Sequence, residues 1–422
     1  MRILLGPVLV LSWCVICPLP AAAQPAPLTL PDAIACARTQ SPVLGPARAR
    51  LEGAQLGERL AGRWRDPQLQ VQVENLGHGR DPGDTAIGLD AFALVSQPLE
   101  IGGRRAARIG AAGADRALAA STLALLERQV TLDTVERYVG ILRGVRTIDV
   151  LGRNIDELTA LVETFEARVA AGVAPEADLL KFRTEAARQA LALARVRLEL
   201  DRQAAGLAVL LGSTDPVDPR RLVDPVPVAP PDGDARALAI AALDGRPEVR
   251  IARARLDLAR QSLRGERSLR LPQPALAGGY KRTAYQNTGV LGVSLTLPLF
   301  DRNGVSIALA TAEERAAARE LEAVERRVGL ETQTLLANAR QLAAHAARAE
   351  SEVLRPAAQV RSAAQVAFRE GAADVLTLVD AERVYTSASH ELIDLGLDAF
   401  LSAIRARVAT GLELLPGVEP LP

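Results

Sequence analysis

The sequence predicts a mainly α-helical fold with a small β part, built from one unit that occurs twice. The segment from Leu99 to Ala174 contains no proline, and its apolar residues recur at steps of three and four, the period of an α-helix. Four short segments alternate apolar and polar residues, as strands do. The two halves of the chain also match each other, which indicates an internal duplication.

Composition agrees with helix-on-helix packing. The 422 residues are 49% hydrophobic but only 3% aromatic, so alanine and leucine must fill the space between helices. The 50 basic and 50 acidic residues cancel, which argues against a protein that binds nucleic acid by neutralising phosphates. We therefore expect no nucleic-acid partner.

The first residues predict a signal peptide, residues 1–23. Met1 and Arg2 give a positive start, residues 3–16 are apolar, and Ala21 to Ala23 form a small-residue cleavage site before Gln24. Cys14 and Cys17 lie in this segment, which leaves Cys36 as a lone cysteine that we expect to be a small packed residue. Since no later apolar run reaches about 18 residues, we expect an exported protein without α-helical membrane spans.

The duplication divides the chain. An offset of 205 residues aligns Pro42 with Pro247 and the string ARARLE with ARARLD. The predicted units are residues 24–212 and 234–411, joined by a proline-rich extended connector, 213–233, and followed by a loose tail, 412–422.

Each unit has the same predicted order. A helix, about 31–64 or 234–269, leads to two strands, about 67–76 and 86–97 in the first unit and 273–282 and 289–298 in the second. A long helix follows, about 103–170 or 303–369, then a returning helix, about 176–211 or 374–410. We expect Asp301 or Asn303 to cap the second long helix and Pro356 to kink or break it within one turn before the proline.

The four strands suit a membrane better than a soluble sheet. Each has about ten residues, enough to cross a bilayer when tilted, with an apolar row opposite a polar row. Four strands cannot close into a barrel, and an open edge in hydrocarbon costs several kcal/mol per unpaired backbone group. We therefore expect several chains to pool their strands, and three would make a twelve-stranded barrel.

The turns that end the long helices carry the most specific signal. They read RVAAGVAPEADLLKFRTE, residues 168–185, and FREGAADVLTLVDAER, residues 368–383, each with a glycine followed by an aspartate that opens the returning helix. With the hairpins and the duplication, they resemble the TolC-like outer-membrane factors, exit ducts of tripartite efflux pumps and type I secretion systems. The resemblance implies long antiparallel coiled-coil helices beneath a barrel shared by a homotrimer.

The resemblance also implies partners and site residues. The tips would dock a periplasmic adaptor, or membrane fusion protein, through the small residues Gly172, Val173, Ala174, Gly371, Ala372 and Ala373. Acidic side chains would constrict the closed mouth, with Asp178, Glu370 and Asp374 as candidates. Both tip motifs have a purely structural alternative, because glycine ends helices and aspartate favours helix starts.

A second motif, QPLEIGGRR at residues 97–105, resembles the strand-to-helix junction of the CzcC-type branch, which serves heavy-metal cation export. Its counterpart in the second unit is LPLFDRNG, residues 297–304. The junction residues that we single out are Pro98, Gly102, Gly103, Arg104, Pro298 and Asp301. A structural account is also open: prolines end strands, glycines turn the chain, and arginines reach toward lipid headgroups.

We expect neither catalysis nor a cofactor. His78, His345 and His390 show no metal-ligand spacing, and we find no catalytic triad or phosphate-binding loop. The predicted function is a passive outer-membrane duct for heavy-metal cations, driven by an inner-membrane RND transporter. Zinc, cobalt, cadmium, nickel, copper and silver are not distinguished. Alternatives are a duct for drugs or secreted proteins and, from a different class, a periplasmic coiled-coil scaffold without a pore.

Overall fold

The computed structural model describes residues 26–74, 90–283, 286–298 and 300–415. The predicted signal peptide, the turn between the first two strands, His78 and the end of the tail lie outside the described residues. The helices are α1 Leu30–Gln40, α2 Gly45–Ala61, α3 Arg104–Ala170, α4 Glu176–Leu210, α5 Ala235–Ala242, α6 Pro247–Ser268, α7 Gly304–Ala349, α8 Arg355–Arg369 and α9 Val375–Thr410. The strands are β1 Gln68–Glu74, β2 Asp90–Pro98, β3 Gln273–Thr283 and β4 Gln286–Thr296.

The prediction of one helix before each strand pair is wrong, because each of these helices is divided in two. Short 3₁₀ turns separate α1 from α2 and α5 from α6. Ser41 and Arg246, which precede Pro42 and Pro247, have extended ψ angles of 124° and 123°. A proline disfavours the helical conformation of the residue before it, which explains both interruptions.

The long helix α3 has 67 residues, a length of about 100 Å. By length and composition it is the one described helix that could cross a membrane, and 11% of its apolar 18-residue window is buried in this chain. The sequence expectation had placed no such helix after the signal peptide. Along its length α3 packs on α2, α6, α4 and α9.

The second long helix is interrupted where a proline was expected to disturb it. A π-helical turn, Glu350–Leu354, separates α7 from α8 immediately before Pro356. Because Pro356 has no N–H and its ring crowds the preceding turn, widening that turn accommodates it. Helical dihedral angles continue through Arg355, so the helix is deformed and not ended.

The four strands form one antiparallel sheet in the order β1-β2-β3-β4. The two hairpins are joined by pairing of β2 with β3, from Ala91 opposite Arg282 to Pro98 opposite Ala275. The second hairpin has a shorter turn than the predicted strands, 273–282 and 289–298, imply, since Gln286 to Thr288 already pair with β3. β4 also ends at Thr296, two residues before Pro298.

The main core lies where α1, α3, α4 and α9 meet, so both halves of the chain contribute to it. Tyr138 of α3 is fully buried, and its hydroxyl lies 2.8 Å from the Leu28 carbonyl oxygen and 2.6 Å from that of Val223. The Leu28 N–H also donates to the Arg221 carbonyl at 2.7 Å. These hydrogen bonds hold the connector between the halves against the core.

Candidate functional site

Both helix reversals turn through a glycine in the left-handed conformation. Gly172 has φ 71° and Gly371 has φ 75°, values that side-chain-bearing residues rarely adopt. The N–H of Val173 donates to the Arg168 carbonyl at 2.9 Å, and that of Ala372 donates to the Ala367 carbonyl at 2.8 Å. Each tip is therefore a tight helix end whose last carbonyls are satisfied by the turn.

The small residues at the tips are not equally accessible. Gly172, Val173, Gly371 and Ala372 are exposed, whereas Ala174 and Ala373 are half-buried. Val173 is an apolar side chain that is 66% exposed at the end of the molecule. The geometry leaves these four exposed residues accessible for contact with a partner.

The acidic residues at the two tips differ, although the sequence aligned them. Asp374 is the N-cap of α9, and its Oδ1 accepts hydrogen bonds from the Thr377 N–H at 2.8 Å and the Thr377 hydroxyl at 2.6 Å. The Thr377 hydroxyl, followed by its N–H, lowers the pKa of Asp374. Asp178 lies inside the first turn of α4, where Lys181 pairs with it at 3.0 Å. Glu370 is exposed beside Gly371.

Three aromatic rings join the two tips. Phe165 of α3 lies 5.0 Å from Phe182 of α4 and 5.7 Å from Phe368 of α8, measured between ring centroids. Phe182 and Phe368 are 6.2 Å apart in an edge-to-face arrangement. These rings and their neighbours form a buried cluster from four helices, α3, α4, α8 and α9. This cluster was not predicted from the sequence, although a phenylalanine lies close to each helix reversal.

Charged pairs extend the link between the halves. Arg383 of α9 donates to Glu185 of α4 at 2.8 Å, and both Glu185 and Glu382 are buried. Arg361 of α8 contacts Glu157 of α3 at 3.0 Å and Glu382 of α9 at 3.4 Å. Burial raises the pKa of Glu382 even though Gln365 and Arg361 oppose that shift. The region beside Arg361 is a cavity of about 410 Å³ lined by Leu158, Phe368 and Leu378.

A second charged cluster lies at the level where α3 crosses the second half of the chain. Arg246 is only 2% exposed, and its guanidinium pairs with Glu248 at 3.1 Å and Glu331 at 3.6 Å. Arg128 of α3 lies 3.8 Å from Glu248, and burial, followed by the charge of Arg246, lowers the pKa of Arg128 to about 10. Arginine is rarely buried without partners of opposite charge. Nothing in the sequence pattern showed which residues would become the partners of Arg246.

One face of the sheet is mainly apolar, and the other carries most of the polar side chains together with Phe92, Leu94 and Val290. Directly opposed residues share a face, so the pairing places one apolar set on one side, with exposed fractions from 41% to 81%: Leu69, Val71, Val73, Val95, Leu276, Tyr280, Leu291 and Val293. The other side carries Gln68, Gln70, Gln72, Ser96, Lys281 and Thr288. Within the described sheet β1 and β4 are edge strands, so each presents a row of backbone groups to a further partner.

The two junctions between sheet and long helix are built differently. After Pro98 at the end of β2, Gly102 and Gly103 have φ 68° and 83°, and a Cβ on Gly102 would lie 2.2 Å from the Leu271 side chain. Arg104 then donates to the Leu271 carbonyl at 2.8 Å. The positive φ angles of Gly102 and Gly103 favour glycine here, and a Cβ on Gly102 would also displace the end of the Leu271 side chain.

After Pro298, the second junction turns through Asn303 and not through a glycine. Asn303 has φ 58° and takes the N-cap position of α7, but its side chain donates to the Glu266 carbonyl at 2.9 Å and does not cap the helix. Asp301 accepts the Asn303 N–H at 2.8 Å. The expected side-chain cap at Asp301 or Asn303 is therefore wrong, because both side chains stabilise the turn before the helix.

The described residues contain no group of three His, Cys, Asp or Glu side chains placed to hold a metal ion. His345 is exposed, while His390 is half-buried and has a pKa lowered by burial. Cys36 is a free thiol whose Sγ lies 3.7 Å from the Leu211 carbonyl oxygen.

Comparison with known proteins gives consistent matches over nearly the whole chain. The family described as "Outer membrane efflux protein" matches residues 33–213 and 238–412. The cobalt-zinc-cadmium resistance protein CzcC of Cupriavidus metallidurans is 31% identical over 370 residues, covering 86% of this chain and 85% of that protein. The nickel-cobalt-cadmium resistance protein NccC of Alcaligenes xylosoxydans xylosoxydans is 27% identical, covering 72% of this chain and 68% of that protein.

Solved structures show the same fold at low sequence identity. Crystal structures of CusC match with a TM-score of 0.78 at 18% identity, covering 91% of this chain and 92% of that chain. The outer membrane protein VceC of Vibrio cholerae matches with a TM-score of 0.74 at 20% identity, covering 89% and 95%.

Proposed function

The chain belongs to the outer membrane efflux protein family, and from this premise we propose that three copies form a passive exit duct for heavy-metal cations. The family consists of outer membrane efflux proteins. The TolC-like fold predicted from the sequence is confirmed by the solved structures that match this chain. The cargo is inferred from the cobalt-zinc-cadmium and nickel-cobalt-cadmium resistance proteins that this chain resembles.

One observation carries the proposal: a four-stranded sheet with an exposed apolar face, a polar face and two open edges. In lipid, each unpaired backbone group at those edges would cost several kcal/mol. Pairing β4 of one copy with β1 of the next removes both edges, and three copies of the four-stranded sheet would supply twelve strands. The apolar face would then contact lipid and the polar face would line the duct.

We propose the remaining features on the same basis. Residues 1–23 would be removed as a signal peptide, and two units, 24–212 and 234–411, would be joined by the connector 213–233. The exposed tip residues Gly172, Val173, Gly371 and Ala372 would dock the periplasmic adaptor, with Ala174 and Ala373 packed behind them. Asp178, Glu370 and Asp374 would supply negative charge at the closed mouth, which opens when the adaptor and an RND transporter engage.

The duct would need no resident metal or catalytic group, because export requires only a path with suitable charge. Its energy would come from the inner-membrane transporter. Adaptor binding would shift the helix pairs from a closed to an open packing by contacting the open arrangement better.

Two experiments test the proposal. Outer-membrane fractions should yield a trimer that resists detergent until heated, whereas a periplasmic scaffold would be extracted without detergent and would show no conductance. Deleting the gene should lower tolerance to one or more of zinc, cobalt, cadmium, nickel, copper and silver, tested ion by ion. Unchanged metal tolerance with lost drug tolerance or lost protein secretion would reassign the cargo.

A further inference from the structure

A groove lies where α3 and α6 pack against each other just below the sheet. It has a volume of about 350 Å³, within the usual range of small-ligand pockets. Its lining comes from the start of α3 and the end of α6: Gly102, Gly103, Ala106, Ala107, Gln261, Arg264, Arg267, Ser268 and Leu271. The charged side chains among these residues are those of Arg264 and Arg267. The α3–α6 groove is therefore electropositive.

A second cavity, of about 650 Å³, borders the same helix contact and shows which way the groove opens. The two cavities have three lining residues in common: Ala107, Gln261 and Ser268. The second cavity is also lined by Gln68 of β1 and Gln273 of β3, whose side chains lie on the polar face of the sheet. In the proposed duct that face lines the bore, so the second cavity opens to the bore.

Helix geometry places the α3–α6 groove on the other side of this contact. On α6, Arg267 lines the groove and Gly265 lines the second cavity, and at about 100° per residue the two lie roughly opposite each other. On α3, Ala106 of the groove and Arg108 of the second cavity are separated by the same angle. The groove therefore opens on the side of the apolar face of the sheet, which would contact lipid.

The arginines of α6 and of the turn after it differ in their partners. Arg255 pairs with Glu320 of α7 at 2.7 Å. Arg260 pairs with Glu314 of α7 at 3.5 Å. The three arginines nearest the sheet are exposed and form no ion pair with any residue that the structure describes: Arg264, Arg267 and Arg270. Their charges are therefore available to an anionic partner outside this chain.

The acidic residue beside these arginines does not neutralise the groove. Glu266 lines the second cavity, and its Oε2 accepts a hydrogen bond from the Asn303 side chain at 2.6 Å. The start of α3 adds positive charge, because its first turn contains no acidic residue and Gly103 has no side chain to cap it. The partial positive charge of this helix end is thus not offset by the first turn. The arginines and the helix end favour the same sign of ligand charge.

The groove lies at the height expected for lipid headgroups. Arg267 and Arg264 precede Ser268, the last residue of α6, by one and four residues, so they lie about 2 and 6 Å below the end of the helix. The headgroup layer of one leaflet is about 5–8 Å thick. Above the arginines, Leu271 is 45% exposed, and Leu276 on the apolar face of the sheet is 47% exposed. A lipid whose chains covered this apolar surface would have its phosphate beside the two arginines.

We propose that the α3–α6 groove binds the headgroup of an anionic phospholipid from the periplasmic leaflet of the outer membrane, one molecule per copy. Arg264 and Arg267 would hold the phosphate, since guanidinium groups donate paired hydrogen bonds to phosphate oxygens. A headgroup without a cationic group of its own is favoured, because Arg270 adds a further positive charge nearby. This inference rests on the proposed duct, because it requires the sheet to lie in a membrane.

Native mass spectrometry of the full-length trimer in detergent tests the binding of lipid. The probes are phosphatidylglycerol and phosphatidylcholine with the same acyl chains, which share the phosphate but differ in the cationic group of phosphatidylcholine. We expect the trimer to retain phosphatidylglycerol, one molecule per copy, and to bind it about tenfold more tightly than phosphatidylcholine. Equal binding of the two lipids would overturn the proposal, as would displacement of phosphatidylglycerol by excess inorganic phosphate, which would assign the groove to a free anion.

Two variants test the residues of the groove. Arg264→Gln combined with Arg267→Gln removes both charges and should weaken phosphatidylglycerol binding about tenfold. Ala106→Glu keeps both arginines but adds a carboxylate to the groove, so it should weaken binding to a similar extent. Ala106 is exposed, so this variant should still form the trimer. Unchanged binding in either variant would overturn the assignment of the lipid to this groove.

The matched control is Arg220→Gln combined with Arg236→Gln, which removes the same charge from exposed positions far below the sheet. Val223, close to Arg220, donates its N–H to the Tyr138 hydroxyl at 3.0 Å, and Tyr138 lies about 50 Å along α3 from its start. Phosphatidylglycerol binding should stay at the wild-type level in this control. An equal loss there would indicate a general effect of net charge and overturn the groove, while the duct would stand. A wild-type protein that forms no trimer would instead overturn the proposed function.

Discussion

The helical hairpins of the two halves share a sequence pattern but differ in how they are built. The first consists of α3, continuous for 67 residues, and α4, whose first turn has no side-chain cap. In the second, a π turn at Glu350–Leu354 precedes α8, and Asp374 caps α9. The π turn offers a place to bend, whereas the first hairpin is a continuous rod. In the proposed opening of the lower end, we therefore expect the second hairpin to move more than the first, with the first hairpin as its support.

The largest effect is expected from a substitution between β2 and β3, where the hairpins of the two halves pair in the sheet. Gly279 of β3 lies opposite Leu94, and a Cβ there would be 2.1 Å from the Ala93 carbonyl oxygen. Gly279→Val should separate β2 from β3 and abolish the heat-sensitive trimer in outer-membrane fractions. Gly292→Val is the control, since open space surrounds that position and it lies on the same face of the sheet. Normal trimer yield from Gly279→Val would contradict the described β2–β3 seam.

The next effect separates the hairpins at their tips. Phe182 is fully buried between the rings of Phe165 and Phe368, so Phe182→Ala should cost about 3–5 kcal/mol of local packing. We expect faster hydrogen exchange in the lower parts of α4, α8 and α9, measured by mass spectrometry. Val384→Ala, at a position that is 45% exposed on α9, serves as the control and should change little. If exchange rises only in α4, the rings do not couple the two hairpins.

A smaller effect is pH-dependent and belongs to the second hairpin. Burial raises the pKa of Glu382 above 4.5, so the folded state binds this proton more tightly than the unfolded state does. The contribution of Glu382 to stability should therefore fall as pH rises from about 4.5 through the raised pKa.

Thermal unfolding across this range checks the sign. Glu382→Gln keeps a hydrogen-bonding side chain without the charge, and its Tm should decline less with rising pH than that of the wild type. Arg361 still has Glu157 as a partner in this variant. A wild-type Tm that rises more steeply with pH than the Tm of the variant would show that the ion pair outweighs burial.

The smallest effect compares the two tip aspartates. Asp374→Ala removes the acceptor for the Thr377 N–H, whereas Asp178→Ala removes only a contact with Lys181. We expect more fraying at the start of α9 than at the start of α4, seen as faster local hydrogen exchange. Asp374→Asn should retain most of the protection, because asparagine also caps helices. Equal fraying in both alanine variants would show that Asp374 and Asp178 stabilise the starts of their helices to the same extent.

The sequence predicted the long elements well because their patterns are periodic and local. The apolar steps of α3 and the alternation in β1 need no knowledge of distant residues. The helix breaks at Ser41 and Arg246 could also be predicted from the sequence, because Pro42 and Pro247 disfavour the helical conformation of the residue before them. The disturbance expected before Pro356 is confirmed by the π turn.

The contacts between distant segments were not predictable in the same way. The pairing of Arg361 with Glu157 and the burial of Arg246 depend on which helices become neighbours. A single sequence does not show which helices become neighbours, so it does not predict these contacts. The tip aspartates looked equivalent, yet the turn places Asp374 at a cap and Asp178 inside a helix, a difference of backbone geometry.

The open strand edges have a consequence for mixed assemblies. In the proposed ring each subunit uses two different surfaces, β1 on one side and β4 on the other, so every contact is head-to-tail. A copy damaged at β4 alone can still occupy a neighbour's site through its intact β1. Such a copy, produced beside the normal protein, would inactivate most rings that it enters, and its phenotype would be genetically dominant.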